Sequence, residues 1–255
     1  MRIKKKDKQY TPILIGIMYV IYFYTFCKFT YQKGWLMSLK AVSISNIVEK
    51  LINDFGTMLI FPLAIIIVYR KKLNELSVKR SKIAIVLSLI YILFFVLHGN
   101  YTVNGIYKAF FYLFVIAIPE EIIYRGYIYN NFKKHNRMFA IIVSGILFGI
   151  MHAILPSIIA EDSLLIMIKE MFNQIGGGIF GGFIFIVYLE KSDSIFVPIL
   201  IHALLDYSYG VLGILVAIIV LVYLLIMSKK NEEKHNVTKK CLIEEENLFE
   251  NNSRS

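Results

Sequence analysis

The sequence predicts an all-α, polytopic integral membrane protein with about eight transmembrane helices, seven being the alternative. Of its 255 residues 57% are hydrophobic, and the mean hydropathy is +0.63. Soluble domains are only about 45–50% apolar. At least five runs of about 18 or more residues are almost free of charge, which is the length that a helix needs to cross a bilayer. The lipid bilayer is therefore the expected environment.

Apolar stretches bounded by charged residues predict the positions of the individual helices. The predicted spans are 10–27, 51–69, 83–97, 104–131, 138–158, 174–189, 194–208 and 211–227. The third and seventh are short for a hydrocarbon core about 30 Å thick, so neighbouring helices are expected to shield them. The intervening segments Gly34–Lys50 and Ile158–Phe172 mix apolar and charged residues, and they fit interfacial helices or ordinary loops equally well.

The distribution of lysine and arginine predicts the orientation in the membrane. With the N-terminus in the cytoplasm, twenty-one of these residues lie on the cytoplasmic side and six, including Lys50, on the other. Residues 1–228 are expected to form one membrane domain, and residues 229–255 a flexible, polar cytoplasmic tail. The basic clusters serve topology in this interpretation, so no nucleic-acid partner is expected. Cys27 and Cys241 lack the spacing of a metal site or a disulfide framework.

Charged residues inside the predicted fourth span require either a partner or a function. Glu121 and Arg125 are four residues apart on one helical face, so they are expected to form an ion pair. Glu120 is rotated by about 100° from Glu121. Pro119 removes one backbone donor and loosens the preceding turn, which helps to present Glu120 to a cavity.

Two further spans carry polar residues at helical spacing. Phe148 and His152 share a face of the fifth span, and His202 and Asp206 share a face of the seventh. Each pair alone could be ordinary packing or a local hydrogen bond. The three motifs nevertheless lie at similar depth, because Glu120, His152 and His202 are about 16, 21 and 12 Å from the cytoplasmic ends of their spans. That shared layer predicts one joint site in the cytoplasmic half of the membrane, with cleavage near the inner leaflet.

The chemistry of this set suits the activation of water. Glu120 is the candidate general base. His152 and His202 could bind a divalent metal such as zinc together with Glu120, or donate without metal to a developing oxyanion. Asp206 could orient His202, supply a further ligand or hold the water. The glycines Gly176–Gly178, Gly181 and Gly182 in the sixth span predict close helix packing, and room for an extended substrate beside the site is the alternative.

The three motifs together resemble those of the CPBP family, the CAAX proteases and bacteriocin-processing enzymes also called Abi. The pattern Glu-Glu-x-x-x-Arg stands at Glu120 to Arg125, Phe-x-x-x-His at Phe148 to His152, and His-x-x-x-Asn/Asp at His202 to Asp206. The match covers about residues 100–210.

The resemblance implies an eight-helix intramembrane endopeptidase that cleaves a peptide or a membrane protein. Glu120, His152, His202 and Asp206 would line its active site, with Glu121, Arg125 and Phe148 in support. Eukaryotic relatives trim prenylated CAAX proteins, and bacterial relatives serve peptide maturation, bacteriocin immunity or signalling. A bacterial cell-membrane protein with both termini in the cytoplasm is expected. The alternatives are a non-proteolytic immunity factor or sensor-kinase regulator of the same fold, and a proton-relaying transporter.

Overall fold

The computed structural model describes residues 10–208 and 210–253, with side chains described as far as residue 234. Eight continuous helical segments and no strand occur within those residues. They are α1 Thr11–Gln32, α2 Ile47–Tyr69, α3 Lys82–His98, α4 at 103–132, α5 Arg137–Ile159, α6 Leu164–Ser192, α7 Phe196–Ser208 and α8 Val211–Ser253. The all-α, eight-helix prediction is confirmed.

Four of the helices begin at a polar residue whose side chain accepts a hydrogen bond from a backbone N–H of the first turn. Ser81, Thr102, Asn136 and Ser163 cap α3, α4, α5 and α6 in this way. Ser163 explains why α6 begins ten residues before the predicted span. Residues 164–172 are therefore part of α6 rather than an interfacial helix or a loop.

The outer surface of the bundle is apolar along most of its helices. Within the part of the chain that the structure describes, five helices are long and apolar enough to cross a membrane. Large exposed apolar side chains cover α1, α3 and α8, for example Leu14, Leu89 and Ile219. A surface of this composition is stable against lipid and not against water, so the chain is a multi-pass membrane protein. The short helix α7 has nine of its thirteen residues buried by its neighbours, as the sequence predicts.

Glycines bring α5 and α6 together in the centre of the bundle. A Cβ atom at Gly178 would lie 2.5 Å from backbone atoms of Gly145 and Gly149, so these positions allow only glycine. Gly182 also faces Gly145, whereas Gly176, Gly177 and Gly181 face open space. The predicted packing role is therefore confirmed for two of the five glycines of α6.

The helix α4 is irregular around its acidic residues. Two stretches of wider π-helical turns, Phe111–Ala117 and Ile122–Tyr129, flank the α-helical piece Ile118–Glu121. Wide turns of this kind are frequent at functional sites, because they redirect side chains that a regular helix would place elsewhere. Pro119 lies in the α-helical piece between the two wide stretches, and it supplies no N–H to the helical ladder there.

The loops join the helices at two ends of the bundle. Loops 70–81, 133–136 and 193–195 meet at the end that we call the basic end, where Lys79 contacts Asp193 at 2.6 Å and Lys134 contacts Glu75 at 4.0 Å. Loops 33–46, 99–102 and 160–163 meet at the opposite end, where Tyr31 donates to Glu161 at 2.8 Å. The predicted cytoplasmic clusters at Arg70–Lys82 and Lys133–Arg137 thus lie together.

The helix α8 runs from Val211 to Ser253, and its candidate membrane span lies within Val211–Lys234. The polar residues from 229 to 253 continue this helix in the structure. The division into a membrane domain and a flexible tail stays a prediction.

Candidate active site

His202 is the centre of a buried cluster of carboxylates. Its Nδ1 lies 3.0 Å from Oε1 of Glu121, and its Nε2 lies 3.7 Å from Oε2 of Glu120 and 3.5 Å from Oδ2 of Asp206. Glu120 and His202 are only 7% and 6% exposed, and Glu121 is fully buried. The helices α4 and α7, whose site residues are about eighty positions apart in sequence, therefore bring four of the predicted site residues together.

Arg125 lies directly beneath this cluster and balances its charge. Its Nη1 is 3.2 Å from Oε1 of Glu121, which is the ion pair expected from their spacing. The guanidinium is fully buried between two aromatic rings, 4.1 Å from the centroid of Phe148 and 5.0 Å from that of Phe185. Glu121 thus joins Arg125 to His202 through a single oxygen atom.

Phe148 connects the two histidines. Its ring centroid lies 4.3 Å from that of His152 and 6.3 Å from that of His202, both in edge-on geometry. His202 also stacks on Phe185 at 5.0 Å. Phe148 belongs to a predicted motif, whereas Phe185 stands in no motif and carries no signal that would have predicted it.

The hydrogen bonds of the two histidines determine which nitrogen each ring offers to a ligand. Nδ1 of His152 lies 2.8 Å from the carbonyl oxygen of Phe148, which can only accept, so this nitrogen donates. Nδ1 of His202 donates in the same way to the Glu121 carboxylate. In the neutral form of each ring, Nε2 therefore carries the lone pair and acts as an acceptor.

A cavity of about 690 Å³ adjoins the cluster. Glu120, His152 and Asp206 line it together with mainly apolar side chains of α1, α2, α4 and α5. Oε2 of Glu120 is buried and has no hydrogen-bond partner among the described residues. A carboxylate oxygen of this kind is available to a water molecule or to a substrate group.

The cavity extends toward the end of the bundle that is opposite to the basic end. Its walls are the C-terminal parts of α1 and α5, the N-terminal parts of α2 and α4, Asp206 of α7, and the residues Leu36–Leu39 of loop 33–46. The sequence predicts a site in the half of the membrane that holds the basic loops, whereas this cavity extends away from them. Which side of the membrane the cavity faces stays a prediction. The distance of each site residue from the end of its own helix predicts a common depth for these residues in the membrane. Such distances give no information on the side from which that depth is open.

A second polar group, which the sequence analysis missed, lines the same cavity. Lys50, Asn53 and Asp54 of α2 are 4%, 6% and 5% exposed, and Lys50 forms an ion pair with Asp54. Tyr107 of α4 donates to Asp54. The sequence predicts Lys50 as a topological charge on the non-cytoplasmic side. The structure keeps it at the end opposite the basic end but buries it in the wall of the cavity. The spacing of four residues between Lys50 and Asp54 was the available signal.

The suitability of these residues for a metal ion depends on both donor type and arrangement. Imidazole Nε2 atoms and carboxylates are donors that zinc prefers. The Phe148 carbonyl and the Glu121 carboxylate hold the two Nδ1 atoms, as such acceptors do in zinc sites. Among the residues that the structure describes, however, no three His, Cys, Asp or Glu side chains are placed so that they could hold one metal ion. The arrangement therefore does not fit a metal site.

Comparison with known families agrees with the motifs. Residues 102–208 match the family model described as type II CAAX prenyl endopeptidase Rce1-like, and all three motifs lie within this match. No curated protein and no solved structure matches the chain. Proteins of this family are membrane proteases, so the match carries protease activity as its general implication. The segment 102–208 is thus similar to the Rce1-like CAAX proteases, in agreement with the resemblance to CPBP proteins.

Proposed function

We propose that this chain is an intramembrane endopeptidase in which Glu120 activates a water molecule for attack on a peptide bond. The observation that carries the proposal is the unpartnered Oε2 of Glu120, which lines a cavity together with His152 and Asp206 and lies 3.7 Å from His202. A carboxylate in this position can accept a proton from water, and acceptor nitrogens beside it can hold that water in place.

The proposed reaction uses groups that this chain supplies. Glu120 takes one proton from the water while the water oxygen forms a bond to the carbonyl carbon of the peptide. The π bond of that carbonyl group breaks, and its electron pair moves to the carbonyl oxygen, which becomes the oxyanion. His152 Nε2, His202 Nε2 or Asp206 accepts the hydrogen bond of the other water proton and so directs the lone pair of the water. Glu120 then gives its proton to the amide nitrogen as the carbon–nitrogen bond breaks. A ring that carries a second proton can donate from Nε2 to the oxyanion.

Three residues support the site without contacting the reacting atoms, namely Glu121, Arg125 and Phe148. Glu121 holds the ring of His202 through Nδ1, and Arg125 balances the charge of Glu121. Phe148 packs against both histidines and against the guanidinium. These three are positioning residues, which agrees with the supporting role that the family resemblance implies.

The proposed substrate is a peptide or a membrane-associated protein, cleaved for peptide maturation or signalling. The apolar lining of the cavity supports this, because an extended peptide with apolar side chains would bury them there.

The test compares the peptides in cells that carry the normal protein with those in cells that carry Glu120→Gln. A precursor that accumulates only with Glu120→Gln is expected. Identical peptide sets would favour a non-proteolytic immunity or regulatory role.

A divalent metal bound by Glu120, His152 and His202 is the alternative mechanism, and it predicts a different response to chelation. Because the proposed base acts directly on water, we expect the purified protein to keep its cleavage rate, within about twofold, after treatment with 1,10-phenanthroline. Elemental analysis of the same active preparation should find less than one metal ion per chain. Stoichiometric zinc, together with loss of activity that added zinc restores, would establish the metalloprotease instead.

We further propose that both termini are cytoplasmic and that the cavity opens to the opposite, non-cytoplasmic side. The proposal combines the excess of lysine and arginine at the basic end with the position of the cavity at the other end. Cleavage would then occur in the outer half of the bilayer rather than near the inner leaflet.

Thiol labelling of whole cells tests this orientation. In a background of Cys27→Ser and Cys241→Ser, Ile44→Cys and Lys72→Cys introduce one thiol at each end, at side chains that are 81% and 70% exposed. A membrane-impermeant maleimide should label Ile44→Cys in intact cells and Lys72→Cys only after lysis. The reverse pattern would place the cavity on the cytoplasmic side.

A further inference from the structure

The polar group of Lys50, Asn53 and Asp54 forms part of the wall of the cavity that contains Glu120. All three side chains are more than nine-tenths buried. Ionisable side chains at such positions in a membrane protein are energetically expensive, so their presence indicates a function. The catalytic steps proposed above use none of them.

The hydrogen bonds within the group leave some of its polar atoms available. Asp54 is fully engaged, since Lys50 binds Oδ1 and the hydroxyl of Tyr107 donates to Oδ2. The Lys50 ammonium also lies 4.8 Å from the ring centroid of Phe111. An ammonium group has three N–H donors, and Asp54 accepts from only one of them in this arrangement. Lys50 can therefore donate to a further acceptor in the cavity.

Asn53 supplies the complementary atom. Its Oδ1 is buried and has no hydrogen-bond partner within the described part of the chain. A buried carbonyl without a hydrogen-bond partner destabilises the folded state. A purely structural ion pair would account for Lys50 and Asp54, but it gives no reason for this open acceptor beside them.

We propose that Lys50 and Asn53 form a subsite that binds one main-chain amide unit of the peptide substrate. Lys50 donates to a peptide carbonyl oxygen, and Asn53 Oδ1 accepts from a peptide N–H. Asp54 and Tyr107 hold Lys50 in place, and the apolar wall between this subsite and Glu120 receives side chains. The proposal rests on the proposed peptidase function and deepens it, because it assigns the residues that position the peptide.

Asn53→Leu is the most informative variant. Leucine is similar in size, and the substitution removes an acceptor that has no hydrogen-bond partner among the described residues, so the folded state should lose no stability. Lys50 is a poorer choice, because its removal leaves Asp54 buried without a counter-charge. Asn173→Leu is the matched control, since Asn173 is an exposed residue of α6 that does not line the cavity.

The probe is a library of internally quenched fluorescent decapeptides, used in two assays with the full-length protein in detergent. Binding is measured by fluorescence polarisation in the Glu120→Gln background, so that no turnover is needed, and cleavage is measured with Glu120 present. For the decapeptide that binds most tightly, Asn53→Leu should weaken binding about 3- to 10-fold, the value of one hydrogen bond. KM should rise by the same factor with kcat nearly unchanged, and Asn173→Leu should change neither.

Methylation of the peptide backbone then identifies the bonded amide. When each N–H of that decapeptide is replaced in turn by N–CH₃, one position should lose affinity for the protein with Asn53 and lose little for Asn53→Leu. Such non-additivity is expected only when the two removed groups contact each other.

The outcomes separate this subsite from the proposed reaction. Equal affinity with Asn53 and with Leu overturns the subsite, even if the peptide is cleaved. Binding that depends on Asn53 without any cleavage supports the subsite and overturns the peptidase. No binding by any member of the library contradicts both.

Discussion

Replacement of Glu120 by Gln is expected to reduce the rate of peptide cleavage by about 10²- to 10⁴-fold, the usual contribution of a general base. Glutamine keeps the size of the side chain but cannot accept a proton from water. The buried Oε2 of Glu120 has no hydrogen-bond partner within the described chain, so the substitution breaks no such bond at that atom. The measurement is kcat for a fluorogenic peptide with purified protein in detergent.

Two controls separate this chemical effect from misfolding. The midpoint of thermal unfolding should stay within about 2 °C of the unmodified protein, because the change corresponds to well under 1 kcal/mol. Glu170→Gln makes the same substitution on α6, where Glu170 lies near Asn173 and outside the cavity, and it should keep full activity. Near-normal kcat in Glu120→Gln would remove Glu120 from catalysis.

The positions of the helices could be predicted from the sequence because the apolar runs are long and the charges between them are clustered. Seven of the eight predicted spans begin within about four residues of the observed helices. The exception is α6, where Lys169 and Glu170 interrupt the apolar pattern although Ser163 already caps the helix. A charged pair within one turn weakened the hydropathy signal, and the capping residue was the better guide.

The local part of the site could also be predicted, because a spacing of four residues fixes a shared helical face. Glu121 and Arg125 pair as this spacing requires, and His202 lies 3.5 Å from Asp206. Contacts between helices had no such signal. The bond between Glu121 and His202 joins residues 81 positions apart, and Phe185 reaches the site from a helix without a motif.

The side on which the cavity opens required the packed structure. Five of the described helices line the cavity, α1, α2, α4, α5 and, through Asp206, α7. Depth along one helix is a single distance, whereas the open volume depends on how all five diverge. The same packing buries Lys50 in the wall of the cavity, although the sequence predicts this residue in a loop.

Among the substitutions proposed for this protein, Arg125→Met is expected to cause the largest decrease in the free energy of unfolding. Arg125 and Glu121 are both fully buried and lie 3.2 Å apart, so Arg125→Met leaves the Glu121 carboxylate without its cation. Loss of one partner from a buried ion pair typically costs about 3–5 kcal/mol. For a domain of this size, that corresponds to a decrease of roughly 10 °C in the midpoint of thermal unfolding.

The matched control is Arg137→Met, because Arg137 forms a half-exposed ion pair with Glu190 at 2.8 Å. Exposed pairs contribute only about 0–1 kcal/mol, so its midpoint should fall by no more than about 4 °C. The double variant Arg125→Met with Glu121→Gln should recover much of the lost stability, since it also removes the uncompensated carboxylate. It should remain poorly active, because Nδ1 of His202 loses its anionic partner. An Arg125→Met protein with normal stability but no activity would instead place Arg125 among the groups that contact the substrate.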